Sequence, residues 1–423
     1  MLVGVFSRLA TLFLGILVYS AASNAQSDPR AKALCAQVPG IAAELTRISG
    51  MKLRHAVPCD FINKEQIAQF LKKRVKETSS PEEVRAEELT LKKFGLIPQD
   101  FDLAKNEVDL LTEQAAAFYD YNRKKLFITD STASDSQAPV LAHELSHALA
   151  DQNYNLGRFI KQGSKSDDGS TARLAVMEGQ ATWMMSEYLA RKAGTSLTDS
   201  ATLAATMANL AAGDEGTDSN KSDGEFPVFD KEPLYLRLTL VFPYTRGMSF
   251  QQAVLVRDPQ QGFGEVFLHP PVSTQQILHP EKYFEHVQPT DPALPDVHLP
   301  RGYKGLVGGE LGELEQSILL EQYVGKKRAA ALASHWRGCN FELRESKKAG
   351  RVVLLYSTEW DSDANAALYF AAYREAMRKK WKAMTVSTDE ADALTGTGDD
   401  GRYEFRRKGA VVTSVEGLDP AIH

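Results

Sequence analysis

A chain of 423 residues, 43% hydrophobic and 25% charged, has the make-up of an ordinary globular protein and is long enough for two or three domains. Its formal charge of −6 and sequence pI of about 5.9 exclude an electrostatic drive toward nucleic acid. A dense basic run, Arg378, Lys379, Lys380 and Lys382, falls at the end of an expected helix, where cations suit the helix dipole.

Residues 1–25 read as a signal peptide. A short segment carrying Arg8 precedes the apolar run LATLFLGILVYSAA, and Ser23-Asn24-Ala25 puts small residues at the cleavage positions before Gln26. The run is shorter than the ~20 residues of a membrane span, so the mature chain is expected to have no span and to be exported, periplasmic or extracellular. Export means an oxidising compartment, and of the three cysteines Cys35 and Cys59 are the natural pair. Cys339 remains, and no cysteine has a metal-spaced neighbour.

Residues 26–110 form a mostly helical N-terminal region, long enough for a prosegment. Ile67, Phe70, Leu71 and Val75 recur at helical spacing, and Ser80-Pro81-Glu82-Glu83 is a helix start. Residues 111–290 form the next unit. A hairpin opens it, with Ala117-Phe118-Tyr119 and Leu126-Phe127-Ile128 as strands around a polar turn. A helix follows from Pro139 to about Asp151, then a polar loop, KQGSKSDDGST, then a second helix from about Ala172 to Lys192. Residues 213–225 carry no apolar side chain and read as a mobile loop. Residues 227–290 mix short helices with Pro-rich turns, and 289–300 resembles a linker. Residues 300–423 make a smaller α+β unit: helices at about 310–324 and 326–336, strands near 341–344 and 352–356, a helix at 363–380 and a hairpin at 402–414.

The chemistry lies in VLAHELSHALADQ, residues 140–152. His143 and His147 are one helical turn apart, so both imidazoles leave one face and can share an ion. Neutral imidazoles suit two corners of a zinc tetrahedron, and Glu144 is placed to reach a water on that ion. The chain has only 9 histidines, so this HExxH spacing arises by chance on the order of 0.01 times per chain of this length. Val140, Leu141, Leu145, Ala148 and Leu149 supply the buried frame such a helix needs.

A catalytic zinc takes three protein ligands and keeps one open position. No further histidine follows soon after His147. Glu178 is the third ligand by pattern: it falls within the stripe Leu174, Ala181, Met185 of the second helix, where a carboxylate is costly unless paired or metal-bound. Gly179 beside it permits a close helix approach. Glu187 is a rival, but it lies off the stripe.

These motifs in this order over residues 115–190 resemble the gluzincin, thermolysin-like branch of zinc metallopeptidases. A narrower resemblance, to exported bacterial gluzincin-like proteins, is carried by AAFYDYNRKKLFIT, HELSHALADQNYNL, AVMEGQATWM and HPPVSTQQILHPEKYF, and reaches residue 375 through WDSDANAALYFAAY. The resemblance implies a zincin-like α+β catalytic domain, with a small mixed sheet beside the two helices and one zinc on His143, His147 and Glu178. It implies Glu144 as general base and peptides or proteins as substrates, with the hairpin strand at 116–119 pairing an extended substrate.

The match departs from thermolysin four residues after the glutamate ligand, where an aspartate that orients a histidine is replaced by Thr182; Asp151 is the substitute candidate. Aminopeptidase hallmarks such as GxMEN are absent, which favours an endopeptidase. His279, Tyr283 and Tyr244 are candidates for a second oxyanion donor. His335, Trp336 and Cys339 read as core. The other function that fits is a catalytically silent zinc-binding envelope protein acting as scaffold. Oligomeric state has no signal in the sequence.

Overall fold

The computed structural model describes residues 33–63, 65–70, 73, 80–114, 117–129, 137–163, 166–211, 226–346, 348 and 350–420. The signal-peptide reading of 1–25 and the loop at 213–225 lie outside these residues, as do Leu71 and Val75. The fold is a mixed α+β one. Among the described residues no helix is long and apolar enough to cross a membrane.

Helix α1 (Val38–Ser49) follows the disulfide partner Cys35, which is joined to Cys59 at the start of strand β1 (Cys59–Ile62). Helix α2 (Pro81–Phe94) has Ser80 and Glu83 in a reciprocal capping box and stops at Gly95, whose φ of 78° a β-carbon would resist. Helix α3 (Leu103–Gln114) leads to β2 (Ala117–Asp120) and β3 (Lys125–Thr129). These strands form a small mixed sheet in the order β1-β3-β2, with β1 parallel and β2 antiparallel to β3, so β2 is an edge.

Helix α4 (Gln137–Tyr154) packs on β2 and is longer than its apolar pattern suggests. It ends where Asn155 turns left-handed at φ 59° and Asp151 Oδ1 accepts from Leu156 N at 3.1 Å. After α5 (Leu156–Gly163), α6 (Asp167–Lys192) starts five residues earlier than its apolar stripe indicates. Ser166 caps it by accepting from Gly169 N at 2.9 Å. Asp167 to Thr171 are helical and buried rather than a solvated loop.

Helix α7 (Ala201–Ala211) precedes α8 (Leu234–Arg257). The latter is one continuous helix of 24 residues, where short helices and Pro-rich turns were expected over 227–290, and it contains Pro243. The proline removes one backbone donor. Burial of Tyr235, Leu236, Leu240, Phe242, Met248 and Phe250 outweighs that loss. Where α6 and α8 cross, a β-carbon on Gly179 would lie 2.1 Å from the Gly247 carbonyl carbon, so the two backbones touch through glycine. Short helices α9 (Gly262–Leu268), α10 (Thr274–Leu278) and α11 (Pro280–Phe284) complete this part.

The remaining elements are β4 (Lys304–Gly309), α12 (Glu313–Val324), α13 (Lys326–Ala333), β5 (Trp336–Ser346), β6 (Arg351–Trp360), α14 (Asp363–Lys380), β7 (Thr385–Asp389), β8 (Ala393–Gly398), β9 (Gly401–Lys408) and β10 (Val411–Leu418). Seven strands form one antiparallel sheet, β4-β5-β6-β10-β9-β8-β7. Three of them, β4, β7 and β8, escape the sequence pattern because they are short, rich in Gly and Thr, and partly exposed. Helix α14 covers one face. The other face, Val353, Leu355, Val415 and Leu418, is covered by Leu294, Val297, Leu299 and Tyr303. The Pro-rich segment is therefore a strap packed on the sheet, with the apolar residues between its prolines doing the packing. Trp336 and Cys339 are buried as expected, whereas His335 is half exposed and pairs with Asp361 at 2.7 Å.

The N-terminal residues are built into the same core. β1 is a sheet strand, α1 packs on α4 and α6, and Phe94 of α2 meets Phe341 and Tyr356 edge-on at 5.5 and 5.3 Å.

Candidate metal centre

Leu141, Ala142, Leu145, Ala148 and Leu149 anchor α4 in the core, each at most 1% exposed. That fixes the rotation of the helix and turns His143 and His147 toward α6. Glu178 faces them from the buried stripe of α6, at 3% exposure. His143 Nε2 lies 3.1 Å from Glu178 Oε2, His147 Nε2 lies 3.2 Å from His143 Nε2, and His147 Nε2 lies 3.4 Å from Glu178 Oε2.

Three ligands on a tetrahedral ion at zinc bond lengths are about 3.3 Å apart. The three atoms thus have the spacing of one face of such a tetrahedron, so these side chains could hold a zinc ion from one side. This is the only group of three or more His, Cys, Asp or Glu ligand atoms clustered closely enough for a metal among the described residues. The donor set, two imidazoles and a carboxylate, suits zinc. Glu187, the rival, is buried elsewhere: it accepts from Arg191 Nε at 2.6 Å, Ser196 Oγ at 2.8 Å and Leu197 N at 2.7 Å, and holds the chain leaving α6.

The electrostatics follow from burial. Desolvation alone would raise the Glu178 carboxyl, but His147 and His143 more than offset it and hold it well below the usual range. A carboxylate that stays ionised in a dry site is a competent ligand. Burial pushes Glu144 up to about 7; His143 and the Tyr119 N–H pull it down and Glu178 pushes it further up. A cation on the neighbouring ligands would lower it.

Glu144 Oε2 accepts from the backbone N–H of Tyr119 at 2.7 Å. The base candidate is thereby tied to the edge strand β2. Tyr119 is tied to α4 a second time through its phenol, which donates to Asp151 Oδ2 at 2.9 Å.

Asp151 also takes Lys124 Nζ at 2.6 Å. It fastens the hairpin to the helix and does not orient a histidine. Thr182, the other candidate for that task, is buried with its hydroxyl unpartnered.

Of the three oxyanion-donor candidates, one is at the site. The Tyr244 ring stacks on His143 with centroids 5.9 Å apart, and its hydroxyl bonds Glu178. Burial first, then Glu178 and Glu144, pushes the phenol far above its ordinary value, so it stays a donor. Tyr283 donates instead to the His269 carbonyl at 2.7 Å, and His279 pairs with Glu313 at 2.6 Å. Both are structural. Sequence reading missed the Tyr119 contact because a backbone donor leaves no mark on residue type.

Residues 304–422, which hold the seven-stranded sheet, match the model of a family described as a domain of unknown function, DUF8575. No curated protein and no solved structure matches the chain.

Proposed function

We propose that the protein is an exported zinc-dependent peptidase of the gluzincin type, with a zincin-like catalytic unit. The observation that carries this reading is the triangle of His143, His147 and Glu178 at tetrahedral spacing, with the Glu144 carboxylate beside it. A purely structural zinc is usually closed by four protein ligands and has no use for that carboxylate.

When bound, zinc supplies Lewis acidity to a water and to a carbonyl oxygen. Glu144 takes the proton of the attacking water and passes it to the leaving amine nitrogen. The Tyr244 phenol turns its one proton from Glu178 to the oxygen on which charge develops. The Tyr119 N–H aims Glu144 from the β2 edge.

A peptide substrate is supported by that edge. Tyr119 N points away from β3 to Glu144, so strand alternation turns the Ala117 amide and carbonyl away from β3 as well. An extended peptide can pair there, with backbone contacts giving affinity without strict side-chain selection. The Cys35–Cys59 disulfide fits an oxidising compartment.

The test is zinc content with casein hydrolysis for the mature protein and for Glu144→Gln. One zinc per chain, activity in the wild type and none in a variant that keeps its zinc are expected. Zinc in both without hydrolysis would leave the scaffold reading, and an absence of zinc would refute the proposal.

A further inference from the structure

About 15 Å along α6 from Glu178, by helical rise, buried carboxyls gather where the C-terminal unit meets the start of this helix. Asp168 lies in the first turn of α6 and is 4% exposed; Glu315 lies in the first turn of α12 and is 2% exposed. Each has one oxygen engaged. Asp168 Oδ1 accepts from Thr274 N at 2.9 Å, and Glu315 accepts from the backbone N–H groups of Gly312 and of its own residue. The remaining oxygens, Asp168 Oδ2 and Glu315 Oε2, are buried without a hydrogen-bond partner.

The approach is tight. A β-carbon on Gly312 would lie 1.9 Å from Asp168 Oδ1, so the loop between β4 and α12 is glycine where it meets the acid. Thr274 Oγ1, which also bonds Asp168, accepts from Leu314 N at 3.2 Å and links the two sides.

The groups around this pair are acidic or neutral. Asp167 faces it from α6, Glu310 from the loop, Glu313 from α12, Tyr235 from α8 and Cys339 from β5; Glu87 of α2 faces Tyr235. Glu310 accepts from Ser166 Oγ and from Asp168 N at 3.3 Å, and Glu313 is taken up by His279 and by Gln275 Nε2 at 2.9 Å. Neither Asp168 nor Glu315 has an ion-pair partner among the described residues. A buried carboxylate without a cation is costly and is relieved by a metal or by a proton. These acids do not bring three ligand atoms together as a metal's ligands would; only the His143 group does so among the described residues.

We propose that this junction is a proton-held latch, in which Asp168 and Glu315 carry protons while the loop leading into α12 is closed on the start of α6, and that closure weakens when they lose them. Burial pushes Asp168 up to about 7 and Glu315 up to about 8, each also raised by the other acids and partly lowered by the hydrogen bonds named above.

Both values lie above those of the unfolded chain, so the folded protein holds the extra protons. The stabilisation is complete below about pH 4, falls as pH rises, and is lost once pH passes the folded values. Helix α6 also carries Glu178, so the latch ties a metal ligand's helix to the C-terminal unit.

Urea unfolding of the full chain between about pH 5 and 9 tests this with wild type, Asp168→Asn and Glu315→Gln. The wild-type folding constant is expected to fall with pH more steeply than that of either variant, by up to about tenfold per pH unit for each group removed. Identical slopes would overturn the latch. Amide exchange at residues 309–315 of the wild type, corrected for the intrinsic rise with pH, gives an answer even if a variant does not fold. Faster opening above about pH 7 supports the latch, and constant protection overturns it. If millimolar calcium flattens the wild-type profile and leaves the variants unchanged, the site is a cation site and the proton latch is wrong.

Discussion

At the scale of single residues, the site separates what binds from what aims. In the proposed reading His143, His147 and Glu178 would supply the donor atoms, and their spacing of 3.1 to 3.4 Å reflects two rigid helices rather than any one side chain. Tyr244 stands apart because its ring rests on a ligand while its hydroxyl keeps a proton. Replacing it with Phe keeps the stacking surface and removes the donor. Tyr244→Phe is therefore expected to lower kcat about 100-fold, with zinc content and KM little changed, as for the loss of one oxyanion-hole donor. Steady-state peptide hydrolysis with metal analysis checks this, and an unchanged kcat would remove Tyr244 from the reaction. The motif residues were legible because a helix repeats locally. Tyr244 was only one of three candidates, since nothing near it in sequence says which helix it will cross.

At the scale of elements, the crossing of α6 and α8 sets the site. Glu178 is next to Gly179, and Tyr244 is one turn before Gly247, so the glycine contact brings a ligand and a donor to the same place. A methyl group at Gly179 meets backbone that cannot rotate away. Gly179→Ala is expected to destabilise the fold by about 3 kcal/mol or more and to weaken zinc retention. Gly40→Ala is the matched control. Gly40 lies inside α1 with nothing within 4 Å of an added β-carbon, so alanine there is expected to gain about 0.5–1 kcal/mol. Urea unfolding of the two variants, with opposite signs expected, tests whether contact rather than helix propensity governs the first.

At the scale of the whole molecule, the N-terminal residues hold the parts together. Gly95 O accepts from Gln322 Nε2 at 2.6 Å and Tyr323 hydroxyl at 2.7 Å, and Lys380 Nζ donates to the Lys93 carbonyl at 2.6 Å. Earlier in the chain, Cys35–Cys59 ties the start of α1 to β1 across a separation of 24 residues. Closing a loop of that length restrains the unfolded chain by about 3 kcal/mol. Replacing both cysteines with serine is expected to lower stability by about that amount, read from the urea midpoint at constant slope. A change well under 1 kcal/mol would mean that the packing of α1 on α4 suffices without the bond.

What the sequence determined by itself was local. The HExxH turn, the buried stripe around Glu178, the helix start at Ser80-Pro81 and helix α14 all follow from periodicity and capping within one element, and short-range rules read them directly. Other features required the tertiary structure. Helix α8 runs through Pro243 because its buried face outweighs one lost hydrogen bond. The Pro-rich strap is ordered because the second sheet face needs an apolar cover. The acidic turn at Asp167 and Asp168 is buried because glycines at 309 and 312 let another segment close over it. In each case the deciding free energy comes from contacts between residues far apart in the chain, and local pattern carries no record of which distant partner will arrive.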